Sequence, residues 1–421
     1  MRTGRRELIR DLNRTLVLNL VRERDGLSRA AVARISGLSP STVTAITASL
    51  IEDGYLLEDT EPSAQLADTP TVIGRPATIL RVDPDAGFVI GIKVAPDSLT
   101  ATVTDLAASP RAIYTVPRGA ETTLAEVGDL VAGAMTEALA AAGVERHRVV
   151  GVGVGVPGLV DPETGRVADS PLLGWGHLDL IDLLGDRLGV PVLLDNDVNT
   201  LTIAEQLFGA GRGLAHFLVV TVGRGIGMGV VINGLVHRGA NGGAGEVGHV
   251  QVVPSGPDCW CGRRGCLEAV AAEPAIVREI LAVTGRLVHP KEVAALAARQ
   301  PEVAEIVERA GRHVGRVIAA MAIALDPQRI VISGEGVRLG EHYVGAIRSE
   351  LIEREQKEEP TDVVIEPWGD EAWARGAASL VLRELFQPAH LRDEAMPMPS
   401  ATERVSPTTR TAARGGRGEP R

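Results

Sequence analysis

Residues 245–268 read Gly-Glu-Val-Gly-His-Val-Gln-Val-Val-Pro-Ser-Gly-Pro-Asp-Cys-Trp-Cys-Gly-Arg-Arg-Gly-Cys-Leu-Glu, and they hold all three cysteines of the 421-residue chain. Cys259, Cys261 and Cys266 offer three soft thiolates, and His249 lies ten residues before the first of them, so one loop can close a tetrahedral site of three sulfurs and one nitrogen. Gly262 and Gly265 let that loop turn tightly. The donor set predicts Zn2+, and four protein ligands leave no position for water, so the ion is expected to be structural. A disulfide is a poor alternative, because three cysteines leave one unpaired and Cys259 and Cys261 are too close in sequence to bridge easily. Three unrelated thiols would not be gathered into one short stretch.

The metal would fix two carboxylates. Glu246 lies three residues before His249, and Glu268 follows Cys266 by two. Rigidly held acids beside a histidine that can donate and accept hydrogen bonds suit a polyol. Gly-Glu-Val-Gly-His followed by Cys-x-Cys-Gly-x-x-Gly-Cys-Leu-Glu resembles the signature of the ROK family, which groups repressors, open reading frames and sugar kinases. The resemblance runs from about residue 10 to about 385. It implies a two-lobed actin-like α/β body of the sugar kinase and Hsp70 type, with the sugar held between the lobes.

Composition agrees with a chain that buries more than one core: 45% of residues are hydrophobic, and only 3% are aromatic, so the cores must be built from Ala, Val, Leu and Ile. No apolar run is long enough to span a bilayer and the N-terminus is charged, which predicts a cytoplasmic protein with reduced thiols. The net charge of −11 argues against non-specific nucleic-acid binding by the whole molecule. Residues 1–50, however, hold nine arginines and four acids, a net of +5, which leaves −16 on the remainder. A basic head on an acidic body points to a head with an anionic partner.

Within that head, Leu12, Leu16, Val17, Leu20 and Val21 recur at helical spacing and predict a first helix that ends near Asp25-Gly26. Ser28 caps a second, short helix that stops at Gly37. Ser39-Pro40 opens a third, with Val43, Ile46, Leu50 and Ile51 inward and Ser41, Thr42, Thr44 and Thr47 outward. Three helices with a glycine turn make a helix-turn-helix, and the short hydroxyl-bearing face of the third would lie against base edges and phosphates. Tyr55-Leu56-Leu57 and residues 76–82 read as the strands of a wing, with Arg75 at a Gly-Arg-Pro tip placed to enter a minor groove. Ser39, Ser41, Thr42, Thr44, Thr47 and Arg75 are therefore the candidate DNA contacts. The head is similar to that of the ROK repressors, and the sugar kinases of the family lack one.

The body is expected to begin at Asp83-Pro84. In ROK kinases the strand matching Phe88 to Val94 ends in Asp-x-Gly-Gly-Thr, which holds the nucleotide phosphates. This chain has Lys93, Ala95-Pro96 and Asp97 there. Pro96 has no N–H to give, Asp97 repels phosphate, and Lys93 cannot replace a carboxylate that organises magnesium. Arg224 stands where a small hydroxyl residue is usual, and Glu335 where a glycine meets adenosine. Val149 to Val156 carries glycine at alternate positions, read as close helix–sheet packing. Ser170 to Trp175 resembles a loop bordering the sugar, with Leu172 where the family often has Asn. Asp195-Asn196-Asp197-Val198-Asn199 follows a buried strand, at the place where α/β proteins put ligand groups. The resemblance carries over Asn196 as a sugar hydrogen-bonding group and Asp197 as the carboxylate that takes a proton in the kinases; capping of the next helix by Asp197 or Asn199 is the structural alternative.

The expected organisation is a winged helix-turn-helix at 1–82, a ROK body at 83–386 with lobes split near 200, and a disordered tail at 387–421. The expected function is that of a sugar-responsive DNA-binding transcriptional repressor that is not an enzyme, with Asp197 a vestigial base. Asn196, Asp197, Glu246, His249 and Glu268 would bind a sugar or sugar-phosphate effector, and His249, Cys259, Cys261 and Cys266 would bind Zn2+. Double-stranded operator DNA is the expected partner of a homodimer or homotetramer. The alternative is an ATP-dependent sugar kinase with an added head.

Overall fold

The computed structural model describes residues 2–24, 26–59, 78–119, 122–161, 164–355, 357–367 and 370–387. They fall into two compact units, a smaller one from Leu16 to Ala86 and a larger one that takes in the residues up to Thr15 and those from Gly87 on.

The smaller unit takes in the later turns of helix Arg2–Glu23, then helices Arg29–Ser36 and Pro40–Glu52, and a sheet in the order Leu27–Ser28, Ile79–Val82, Leu56–Asp59. Local chemistry explains the boundaries. The Ser28 hydroxyl accepts from the Ala31 N–H at 3.2 Å, Gly37 ends the short helix at φ +70°, and Ser39 accepts from the Thr42 N–H at 3.2 Å with Pro40 in the first turn. Val17, Leu18, Val21, Val32, Val43, Ile46 and Leu50 form the core. Leu12 and Leu16, expected on the inner face, stay exposed, because the buried stripe of the first helix runs through Val17, Leu18 and Val21 instead. Thr47 is a second correction. It lies one turn after Val43 on the inner face and is fully buried, accepting from Arg29 Nε at 3.0 Å, so it cannot face DNA. The outward residues of this helix are Ser41, Thr44, Ala45 and Ala48. Strands Leu56–Asp59 and Ile79–Val82 pair antiparallel, as a wing requires. Arg75 and its Gly-Arg-Pro tip lie outside the described residues, as does the expected tail beyond Gln387.

The larger unit has two five-stranded sheets. The first runs in the order Val192–Asn196, Val149–Val156, Phe88–Val94, Ser98–Asp105, Pro110–Pro117, with the first three strands parallel. The second runs Leu235–Val236, Ile226–Ile232, Phe217–Val222, Arg329–Ser333, Asp362–Glu366. Helices Asp197–Phe208 and Asp370–Leu385 pack on each other between them, with Trp373, Leu201, Phe217 and Val331 in one buried cluster. The glycines explain the close approach. A Cβ at Gly91 or Gly153 would strike the carbonyl oxygen of Ala374 or Ala377, so the last helix lies backbone against sheet, and Gly155 faces Thr200. In the second lobe helices Pro301–Leu325 and Glu341–Glu355 pair, and buried Tyr343 donates to the Ala271 carbonyl at 2.9 Å. Among the described residues no helix is long and apolar enough to cross a membrane.

Candidate functional site

The metal loop is shaped by backbone turns before any ion enters. The Cys259 N–H donates to the Arg263 carbonyl at 2.8 Å and the Gly262 N–H to the Cys259 carbonyl at 3.0 Å, which folds the Cys-Trp-Cys-Gly segment into a knuckle. Gly262 and Gly265 sit at φ +81° and +66°, and a Cβ on Gly265 would strike the Val253 carbonyl. One donor atom each from His249, Cys259, Cys261 and Cys266 then lie within 4.8 Å of one another. Burial lowers the basicity of His249, which keeps its imidazole neutral, the form that binds metal. Burial pushes Cys266 up to about 12, followed by hydrogen bonding from its neighbouring thiols. Burial also opposes ionisation of Cys261, but the backbone N–H and guanidinium of Arg263 bring that thiol down to about 7. A crowded N-and-S set of this kind fits a soft divalent cation, and no two of the cysteines are disulfide-bonded.

His249 has two faces. Its Nδ1 lies 3.6 Å from Cys259 Sγ, and its Nε2 lies 3.7 Å from Glu246 Oε2. A 3-10 turn, Val247–His249, follows Glu246 and ends on His249, and Gly245 precedes it at φ +88° where a side chain would strike the Met228 carbonyl. Glu268, at the start of helix Leu267–Ala271, accepts from the Ile226 N–H at 3.1 Å and from the Trp260 indole. Asp197 comes from the opposite wall, in the first turn of the helix after the strand ending at Asn196. One cleft between the lobes brings Asn196, Asp197, Glu246, His249 and Glu268 together. Burial, and then the charges of Asp197 and Glu268, push Glu246 up to about 7. Burial likewise raises Asp197, against the pull of Lys93. Three carboxyls facing one space are acceptors and, when protonated, donors for hydroxyl groups.

Asn196 turns out to be the helix cap, the place expected for Asp197 or Asn199. Its Oδ1 accepts from the Val198 and Asn199 N–H groups at 2.8 and 3.2 Å, and its Nδ2 donates to the Gly158 carbonyl at 2.9 Å. Helix geometry therefore uses its acceptor, and one N–H is left for a ligand. Beneath it, Asp195 pairs with Arg238 at 2.6 Å and ties the strand end to the segment leading to Glu246.

The side of the cleft that the resemblance would give to a nucleotide is lined by ion pairs. Arg224 meets Asp97 at 2.6 Å, and Lys93 lies 3.7 Å from Glu335 and over the Trp373 ring at 4.6 Å. The Arg224 hydrogen bond holds Asp97 below the usual carboxylate range. Residues 95–98 form a tight turn in which the Ala95 N–H is taken by the Ser98 carbonyl, while the Ala95 and Pro96 carbonyls accept from Arg118. Of the N–H groups this turn could offer a phosphate, that of Ala95 is therefore taken and Pro96 has none.

The ROK family model matches residues 89–384, and a winged helix-turn-helix DNA-binding model matches residues 10–56. The chain belongs to the ROK family. The N-acetylglucosamine repressor of Escherichia coli O6:H1 is 30% identical over 396 residues, which cover 91% of this chain and 95% of that protein. Among solved structures, a ROK family transcriptional regulator homologous to the E. coli MLC protein superposes with a TM-score of 0.74 at 25% identity and covers 89% of this chain and 96% of its own. A ROK hexokinase from Thermus thermophilus, with a TM-score of 0.61 and 33% identity, covers 97% of itself but 69% of this chain. The regulators match this ROK chain nearly end to end, and the kinase leaves part of it unmatched, in line with a ROK protein that is not an enzyme.

Sequence reasoning missed Trp260 and Trp373 in the cleft. Trp260 stands between two ligand cysteines, a position that marks it as held rigidly by any bound ion. Trp373 gave no signal, because the last helix returns to the site from far along the chain.

Proposed function

We propose that this ROK protein is a sugar-responsive transcriptional repressor of carbohydrate metabolism, acting in the cytoplasm as a homodimer or homotetramer on double-stranded operator DNA. The head (residues 1–82) reads DNA through Ser39, Ser41, Thr42 and Thr44 with Arg75 on the wing. The body (83–386) binds a sugar or sugar phosphate through Asn196, Asp197, Glu246, His249 and Glu268. Zn2+ on His249, Cys259, Cys261 and Cys266 would hold the loop that carries three of these groups, and its role is structural.

One observation carries the reading: hydrogen-bonding groups suited to a polyol are gathered in one cleft, while the side of it where a nucleotide would have to enter is lined by the ion pairs Asp97–Arg224 and Lys93–Glu335. Phosphoryl transfer depends on holding nucleotide phosphates and magnesium in line with the attacking hydroxyl, and these residues oppose both. The test is a thermal-shift screen of the purified chain against free sugars and sugar phosphates, followed by DNA retardation with and without the hit. A ligand at a hundred times its dissociation constant should add roughly 2.7 kcal/mol of stability. ADP release that needs both the sugar and Asp197 would promote the kinase reading instead.

A further inference from the structure

Two large apolar side chains in the cleft are exposed to solvent. Among the described residues that line it, Leu172 keeps 45% of its surface exposed and Trp260 46%, whereas Trp373 is buried. They come from opposite lobes. Leu172 is at the tip of the turn joining strands Val167–Ser170 and Trp175–Leu178, and Trp260 is at the tip of the metal knuckle.

Neither side chain is left to fold away. The Leu172 turn is closed by the Leu173 N–H on the Ser170 carbonyl at 3.0 Å and by Gly174 at φ +70°. Its base is anchored by the Ser170 hydroxyl on the Pro157 carbonyl at 2.5 Å. The Trp260 indole N–H donates to Glu268, and its ring meets His249 edge-on, with centroids 4.4 Å apart and planes at 89°. Apolar surface held rigidly in water is unfavourable unless something covers it, and aromatic faces cover the C–H faces and apolar substituents of a ligand. The polar groups that the sugar reading uses are Asn196, Asp197, Glu246, His249 and Glu268, all on the same cleft. A small sugar with hydroxyls all round its rim would use those five and leave Leu172 without a partner. It would also set a hydroxyl against an apolar wall, which forfeits a hydrogen bond.

We infer that the effector is a sugar carrying an apolar substituent, and that Leu172 and Trp260 select it by enclosing that group between the two lobes. The inference rests on the reading of this cleft as a sugar site. The shared chemistry is a methyl or aryl group attached to a pyranose, whether as an acetamido group, a deoxy position or an aglycone. Leu172 and Trp260 are specificity-determining residues in this account, and the carboxylates hold the hydroxylated side.

Titration of the zinc-loaded full-length protein with matched pairs tests this. Glucose, galactose, mannose and xylose are each compared with their phenyl glycosides, the hexoses also with their N-acetylhexosamine and 6-deoxy counterparts. At least one substituted sugar should bind about tenfold or more tighter than its parent, the discrimination expected of one small apolar group in a fitted pocket. Leu172→Asn, which leaves the metal loop alone, should bring that ratio near one by weakening the substituted sugar and offering the parent's hydroxyl a hydrogen bond. Trp260→Phe keeps an aromatic wall and should retain most of the preference, whereas Trp260→Ala should lose it. Binding should also shift tryptophan emission to the blue, and the shift should be absent in Trp260→Phe. Equal affinity for parent and substituted sugars, or a preference that survives Leu172→Asn together with Trp260→Ala, overturns the inference. The 6-phosphates of the hexoses and of their N-acetylhexosamines are titrated alongside, and failure of every free and phosphorylated sugar to bind overturns the sugar reading itself.

Discussion

Arg224 of the second lobe reaches across the cleft to Asp97 of the first, with 2.6 Å between a guanidinium nitrogen and a carboxylate oxygen. Both side chains are largely exposed, so the pair adds little stability. Its bearing on function is electrostatic, because it sets a carboxylate in the loop that the resemblance to the kinases assigns to nucleotide phosphates. Purified protein should release no ADP above background with any sugar that stabilises it, and Asp97→Gly should not create turnover, since Pro96 and Lys93 still withhold donors and metal from the phosphates. A coupled ADP assay checks both, and activity in Asp97→Gly alone would show that this one contact is the whole block.

Removal of the metal should act on ligand response before it acts on DNA binding. Cys261→Ser is expected to lower bound zinc below one ion per chain and to weaken sugar binding by at least about tenfold, because Glu246, His249 and Glu268 lose their shared support. Residues 16–86 form a separate compact unit, so the far-ultraviolet signal and DNA affinity of the head should persist. Metal analysis with parallel sugar titration decides this; unchanged sugar affinity in a zinc-free variant would refute it.

Ser41 and Thr44 are exposed on the third helix of the head, and Thr47 is not. Ser41→Ala with Thr44→Ala should reduce binding to a selected operator by about tenfold or more and leave the salt slope unchanged, since base contacts rather than phosphate contacts are removed. Thr47→Ala should instead cost about 1 kcal/mol of stability through the lost hydrogen bond to Arg29. A thermal melt and a DNA titration, run on both variants, separate the two roles.

Glu205 gives a pH dependence. It is fully buried, its Oε2 accepts from the Ala210 N–H at 2.7 Å, and its Oε1 has no hydrogen-bond partner among the described residues. Burial, with Glu366 adding to it and the Ala210 N–H and Arg375 opposing, pushes the carboxyl from 4.5 up to about 7. The fold therefore favours the protonated form. Its contribution is complete below about pH 4.5 and is lost as the pH rises towards about 7. Glu205→Gln should gain up to about 3 kcal/mol over the native chain at pH 8, and the gap should close near pH 5. Melting curves at the two pH values test it, and a gap independent of pH would show that Glu205 is charged throughout.

How much of this was legible in the sequence follows physical lines. Caps and turns are local chemistry, so Ser28, Gly37 and Ser39 marked helix ends that the structure reproduces. The metal loop was legible because its donors sit in one short segment, and the alternating glycines of Val149–Val156 did report close packing. Thr47 was misplaced because its hydroxyl suggested solvent, while the helical period put it over Val43. The return of helix Asp370–Leu385 to the first sheet was invisible, since its partners Gly91 and Gly153 are more than two hundred residues earlier. The interlobe pairs of Lys93 and Arg224 were unreadable for the same reason: each residue argued against phosphate alone, but only the fold sets them opposite Glu335 and Asp97.

That late helix also sets an order of events on the ribosome. The parallel strands of the first lobe are complete in the nascent chain at Asn196, yet the helix that covers them is not synthesised until Leu385. At roughly 5–20 residues per second, those strands wait on the order of ten seconds or more with one apolar face uncovered. The head, finished by Ala86, can close first. The first lobe, though translated before its neighbour, is completed only with the last helix of the body, and the interval is a window in which a chaperone has an uncapped parallel sheet to hold.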